Sequence, residues 1–433
     1  MKPTKLLTEK LNDHMTRNDE FKISQWHFGF AEGQAISLGL ENGEIGGTYT
    51  PPSTKDVYGG SLYLIWGDDR ISEVTINAET LDDLDSAIIE WKKTSYQDHD
   101  APEVTETLPM PKDLKIKDKK IVDMIKKDSS YFFEILNFYK NELGKKEYTK
   151  TIQGQVDAGL EYCTLMNSKG LNIEYESTSM STSASINGIV GDGYAKRKSP
   201  RKRDLKRIIQ EIDNYMIHTK NIIKVKPEIM PIILMPSVLG QLFGQYILSN
   251  LKGSLILNNQ STYSLEDFKN KKQVFNEKIN LVIDGLKDYE IPTIPCTGEG
   301  VPSTKQYILA NGKLITPFLN RKYAKKAGMP PTSTGDINLE VEGKISYKRM
   351  IRNIRYGLIV YDVLGMHTQD PKSGKYSLAV DQGLVIENGE IKGKLEKATI
   401  DGNFFEDLKN KNTRFADYRK DELAILTEAQ VTV

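Results

Sequence analysis

The chain has 433 residues, with 59 Lys+Arg against 59 Asp+Glu, 38% apolar residues and 27% charged ones. Zero net charge gives no electrostatic case for a nucleic-acid or anionic-membrane partner. Two cysteines exclude a disulfide framework and point to a reducing compartment, and the length leads us to expect two domains.

The first segment, through Phe21, lacks an apolar core of signal-peptide length. Leu6, Leu7, Leu11 and Met15 share one helical face, so an amphipathic helix is expected, with His14 exposed on its polar side. Alternation at Ile36, Leu38 and Leu40, closed by Glu41-Asn42-Gly43, predicts a strand and a tight turn. Gly59–Trp66 and Arg70–Asn77 read as strands. Thr80–Lys93 reads as a helix with acidic residues in its first turn and Leu84, Ala87, Ile88 and Trp91 on its face. A polar, proline-bearing loop follows at 98–111, then helices at Asp118–Lys127 and Tyr131–Leu143. Thr149–Ala195 reads as strands, with Gly188–Gly193 (GIVGDG) as a hairpin turn, since it lacks the Lys-Ser/Thr of a phosphate loop.

Lys196–Arg203 (KRKSPRKR) is the sharpest charge run; no aromatic residues interleave it, so it reads as a solvated loop before a helix at Asp204–Lys220. Beyond it, a helix at Val238–Asn250 precedes Gly- and Asn-punctuated strands at Asn280–Asp284, Tyr307–Ala310, Lys313–Phe318, Gly357–Leu364, Tyr376–Val380, Gly383–Ile386 and Lys394–Ile400. Turns are expected at Asn311-Gly312, Asn388-Gly389 and Asp401-Gly402. The whole predicts an α+β fold in two domains: 1–213, mixed α+β, and 214–433, β-rich with few helices. No apolar run approaches the ~20 residues needed to cross a bilayer, so a soluble, cytoplasmic protein is expected.

Chemistry-bearing groups are sparse. The five histidines are scattered, with no HExxH and no CxxC. His27 and His99 have no suggested partner. Cys163 reads as a buried small apolar residue in a strand. Cys296 precedes the turn Thr297-Gly298-Glu299-Gly300, and nothing in its neighbourhood lowers a thiol pKa. His367 lies in the loop Gly365–Gly374 with hydroxyls and a carboxylate, a place where binding residues gather; Asp370-Pro371 and Ser373-Gly374 would equally serve as two turns.

An ordered set of segments resembles the TldD/PmbA family, whose members are also called modulators of DNA gyrase. The set comprises Ala35–Gly43, Asn167–Gly170 with the Ser/Thr-rich stretch after it, Pro236–Ser254, Gly298–Pro302, Asn311–Leu314, Ala324–Gly328, Thr334-Gly335, His367–Gly389 and Ile400–Asn403. Within that family it resembles the PmbA (TldE) branch. The resemblance implies a two-domain α+β fold. In the TldD branch a helix carries HExxxH, and a cysteine near the C-terminus completes a zinc site. Laid on this sequence, the first His falls at Gly240, the Glu at Gln241 and the second His at Gln245, and residues 414–433 contain no cysteine. The general base and the ligands are missing, so no metal or cofactor is expected in this chain and zinc is expected in a TldD-like partner.

The implied role is a non-catalytic subunit of a TldD/TldE-type metallopeptidase complex acting on peptides. It would pair with a HExxxH-bearing subunit as a heterodimer, or with itself, and Gln241, Gln245, Glu299, His367 and Ser373 are the candidate peptide-binding residues. Two alternatives stand beside it: a self-sufficient hydrolase using Glu299, Cys296 and His367, and a regulatory peptide- or protein-binding homodimer without activity. The residue usually an Asp before Glu-Gly is Thr297 here, and the Lys-rich stretch 113–146 matches no family motif.

Overall fold

The computed structural model describes residues 3–419 and 422–433. It is a mixed α+β structure that divides into two compact units. The first comprises Met1–Ile212, Asp284–Lys305 and Ser333–Asp336; the second comprises Asp213–Ile283, Gln306–Thr332 and Ile337–Val433. The division is therefore not a single cut in the chain, because 284–305 and 333–336 belong to the first unit.

The first unit is built on an eight-stranded antiparallel sheet. Its central strands are long: Ser53–Trp66, Ile23–Glu41, Ile152–Asn167 and Asn172–Ile186 run side by side, with Ile189–Lys196 beyond them. Side chains alternate between the faces of a strand, and the two faces differ sharply. Trp26, Phe28, Phe30, Leu62, Leu64 and Trp66 point to one face, where Leu7 and Leu11 of the helix Pro3–Met15 and Leu84, Ile88 and Trp91 of Leu84–Lys93 cover them. The opposite face carries Gly33, Ala35, Ser37 and Gly39 beside Glu161, Gly159, Asp157 and Gln155, and then Ser177, Ser179, Ser181 and Ser183. A cavity of about 490 Å³ lies at one end of the sheet, lined by Glu41, Gln153, Gln155, Ser183 and Ser185 among others.

Several loops close on Asn-Gly pairs with both residues at positive φ, the geometry of a two-residue type I′ hairpin. Asn42-Gly43 has φ 48 and 86, Asn311-Gly312 has 50 and 69, and Asn388-Gly389 has 52 and 78. The same pair at Asn187-Gly188 makes the turn expected of GIVGDG, and that segment is itself strand. Asp401-Gly402 is no turn either; it lies inside the strand Thr399–Asn403. A Cβ on Gly402 would run into the Tyr376 hydroxyl, so glycine there serves a close approach.

The second unit holds a nine-stranded mixed sheet and the strands of a four-stranded one. Glu228–Leu234 sits inside the larger sheet, parallel to Tyr356–Leu364 and antiparallel to Glu422–Thr432. Ile232, Leu234, Leu358, Val360, Ile425 and Val431 from these strands join Val238, Leu242, Tyr246 and Phe404 in one core. Tyr376–Val380 and Gly383–Ile386 are one strand, Lys375–Glu387, and the expected Lys313–Phe318 strand is only Lys313–Leu314. Helices are more numerous than expected, because they are short. Leu265–Lys269, Arg321–Ala327 and Tyr347–Arg352 each start at a polar cap, Ser264, Asn320 and Ser346. Elements of five to seven residues leave too little periodicity to read. No helix among the described residues is long and apolar enough to cross a membrane.

Two surface readings need correction. His14 is only 5% exposed, and its Nδ1 lies 3.1 Å from the Phe21 carbonyl, because the chain folds back over it after the helix. The basic run is solvated only in part: Lys198, Arg201, Lys202 and Arg203 are exposed, but the start of the run is engaged. Lys196 pairs with Glu290, Lys198 lies 4.6 Å over the Tyr289 ring, and Arg197 is buried. These partners come from 289–291, about ninety positions downstream.

Candidate functional site

Pro236–Leu242 begins with Pro at the first helical position, where a missing N–H costs nothing. It continues as a π-helix over Phe243–Leu248, in which the Ser249 N–H donates to the Gly244 carbonyl five residues back. A π-helical step brings residues five apart onto one face, and such steps concentrate at functional sites. The α-to-π junction falls inside the Gly240–Gln245 interval. The apolar side of this helix, Val238, Leu242, Tyr246 and Ile247, is buried. Its other side carries Gly240, Gln241, Gly244 and Gln245, and a Cβ on either glycine would meet nothing within 4 Å.

The 365–374 loop is clasped to this helix. Gln245 Nε2 donates to the Gln369 carbonyl at 2.8 Å, the Tyr246 hydroxyl to the Lys375 carbonyl at 2.6 Å and Asn250 Nδ2 to the Pro371 carbonyl at 2.8 Å. Gln241 Nε2 donates instead to Asp362 Oδ1, 3.1 Å away. Ser373 accepts from the Lys375 N–H and donates to the Asp370 carbonyl, so its hydroxyl shapes a turn. His367 is exposed on a short 3-10 turn, with no side-chain hydrogen bond or ion pair among the described residues. The structure thus brings Gln245, Ser373 and His367 into one helix–loop assembly. Gln245→Ala is expected to cost about 1 kcal/mol and to raise amide exchange selectively across 365–374, which hydrogen-exchange mass spectrometry reads directly.

Glu299 and Cys296 lie in the first unit. The Thr297 hydroxyl accepts from the Glu299 and Val301 N–H groups, and the Gly298 carbonyl meets His27 Nε2. Cys296 is 1% exposed and packs on Leu165 and Leu171; burial pushes its thiol up to about 11. Cys163, only partly buried, is also raised by desolvation. Neither thiol is poised as a nucleophile.

Zinc takes Cys, His, Asp or Glu ligands, and the donor set on the helix does not fit it. Gly240 offers no donor, and the Gln241 and Gln245 amides are committed to protein acceptors. Among the described residues no group of three or more His, Cys, Asp and Glu is placed to hold a metal ion.

Sequence reasoning missed a buried carboxyl beneath the loop. Asp407 is 8% exposed; it accepts from the Thr427 hydroxyl at 2.6 Å and the Tyr376 hydroxyl at 3.3 Å. Burial outweighs both bonds and pushes the carboxyl up to about 6, above its unfolded value of 3.8. Ionisation therefore opposes folding: stability is highest when Asp407 is protonated, and it falls as pH rises from about 4 through 6. The difference is about 3 kcal/mol at most. Asp407→Asn is expected to flatten the pH 4–7 stability profile in urea denaturation and to raise stability at pH 8.

Three comparisons with known proteins agree on a class. Residues 227–426 match the family described as PmbA/TldA metallopeptidase C-terminal domain. An uncharacterised protein of Methanocaldococcus jannaschii is 25% identical over 270 residues, 60% of this chain and 63% of that protein. Metalloprotease PmbA of Escherichia coli O157:H7 is 27% identical over 176 residues, 40% of this chain and 38% of the relative. These matches span less than two thirds of the curated relatives. TldE from Thermococcus kodakarensis has the same fold, with a TM-score of 0.79 at 18% identity, covering 98% of this chain and 99% of that one. The architecture is thus that of a metallopeptidase-like, two-domain α+β protein. Residues 227–426 carry the PmbA/TldA metallopeptidase C-terminal domain match, and the chain as a whole is similar to TldD/PmbA proteins.

Proposed function

We propose that this chain is a PmbA/TldE-like, non-catalytic subunit of a TldD/TldE-type metallopeptidase complex. It pairs with a HExxxH-bearing subunit, which carries the zinc, and helps shape the site that holds the peptide substrate. The observation that carries this reading is the helix of 236–248. Its backbone has the i, i+5 step that suits a HExxxH ligand pair, yet glycine and two hydrogen-bonded amides stand at the corresponding positions. Such positions offer neither a metal ligand nor a general base to activate a water.

The names of the relatives support peptide hydrolysis for the family; the residues at the helix favour another share of the work for this member. Gln241, Gln245, Glu299, His367 and Ser373 are our candidates for peptide contacts. The self-sufficient alternative is disfavoured by the burial of Cys296. Two free thiols accord with a cytoplasmic setting.

Co-expression with a HExxxH-bearing homologue from the same source tests the pairing. A heterodimer by light scattering is expected, with peptide cleavage by the pair and none by this chain alone. Recovery of two separate species, together with cleavage by the homologue that is unchanged on adding this chain, would contradict it.

A further inference from the structure

The first unit contains a buried cation that forms no ion pair among the described residues. Arg197 is 8% exposed. A guanidinium has five N–H donors, but here Nη2 donates to the Ile291 carbonyl at 2.6 Å, Nη1 to the Thr178 carbonyl at a long 3.4 Å, and Nε has no partner. No carboxylate forms an ion pair with it among the described residues. Burial holds the group below its ordinary pKa, as expected of a cation short of counter-charge. Leaving such a charge unpaired is costly.

The groups around it could complete an oxyanion site. The pairing ends at Met180 and Lys196, and just beyond it the Arg197 guanidinium reaches the carbonyl of Thr178, which stands between Ser177 and Ser179. Ser177 and Ser179 share one face of the sheet, and Ser177 is 3% exposed. Neither serine hydroxyl makes a hydrogen bond in the described structure. Opposite Ser179 lies Gly159; a Cβ there would come 2.8 Å from the Ser179 hydroxyl, so glycine makes room for that hydroxyl on this face. Glu161, opposite Ser177, already supplies one negative charge nearby. A single guanidinium beside it matches a monoanion better than a doubly charged phosphate.

We propose that Arg197, with Ser177 and Ser179, forms a subsite for a peptide carboxylate, either a C-terminus or an Asp/Glu side chain. The subsite lies in the first unit and does not depend on the pairing with a metallopeptidase subunit. A planar guanidinium suits a carboxylate through two parallel N–H bonds, and a lysine ammonium cannot reproduce that geometry.

The test uses the full chain labelled with 15N-arginine, with the Arg197 Nε–H resonance assigned by its loss in Arg197→Lys. Three peptides are titrated: acetyl-tetra-alanine as the free acid, the same peptide as its amide, and acetyl-Ala-Glu-Ala-amide. We expect a saturable shift with at least one acid-bearing peptide and none with the amide. A response to the first alone assigns a C-terminus; a response to the third alone, or to both, assigns a side chain or a general carboxylate site. Isothermal titration of Arg197→Lys and of Ser177→Ala/Ser179→Ala should show affinity weakened about tenfold or more. A shift of equal size with the neutral amide, no shift with either acid at millimolar concentration, or undiminished binding by Arg197→Lys would overturn the proposal. The unmodified chain decides the first two outcomes, so a variant that folds poorly does not shield the idea.

Discussion

Asn250→Asp is expected to destabilise the second unit by about 3 kcal/mol or more, although the two side chains have the same shape. Asn250 is 1% exposed. Its Nδ2 donates to the Tyr246 and Pro371 carbonyls, both at 2.8 Å, and its Oδ1 accepts from the Thr262 N–H at 2.7 Å. An aspartate keeps the acceptor and loses the donor. Two carbonyl oxygens then face a carboxylate oxygen in a buried space. Only the protonated acid relieves this, so the loss should be larger at pH 8 than at pH 4. Asn250→Ala should cost less, about 2–3 kcal/mol, and show no such pH dependence. Urea denaturation at the two pH values separates the polarity effect from simple loss of packing.

Phe404→Ala should be of similar size, about 3–5 kcal/mol. The ring is fully buried, with its centroid 5.4 Å from Phe243 at 84° and 6.3 Å from Tyr246. It joins the helix at 236–248 to the short helix Phe404–Lys409, whose start is capped by the Asn403 side chain accepting from the Phe405 and Glu406 N–H groups. Removing the ring leaves a void that these elements can fill only in part. Phe404→Leu retains most of the volume and should cost below about 1.5 kcal/mol. A fall in the denaturation midpoint for Ala but little for Leu would show that the ring acts through packing.

Much of the fold was legible because its signals are local. Asn42-Gly43, Asn311-Gly312 and Asn388-Gly389 favour positive φ at both positions, and each closes a hairpin. Leu84, Ile88 and Trp91 form one helical face wherever the helix docks. The gaps arise where distant segments decide. The partners of Lys196, Arg197 and Lys198 include Glu290, Ile291 and Tyr289, and an isolated charge run is indistinguishable from a solvated one until that segment arrives. The 365–374 loop is held by carbonyl acceptors, to which any residue type contributes, so Gln245 could be marked by its family position but not by its bond to Gln369. A six-residue π turn is too short for its periodicity to be told from an α-helix. Asp407 carried no motif at all; its character comes from burial between Tyr376 and Thr427.

The most direct measurement is the zinc content of the purified chain by elemental analysis, made alongside a peptide-cleavage assay with and without a HExxxH-bearing homologue. Glycine and two engaged amides on the 236–248 helix predict zinc far below one ion per chain, with cleavage appearing only when the homologue is present. One zinc per chain, with cleavage by this protein alone, would mean that ligands are recruited elsewhere and that the chain is itself a peptidase.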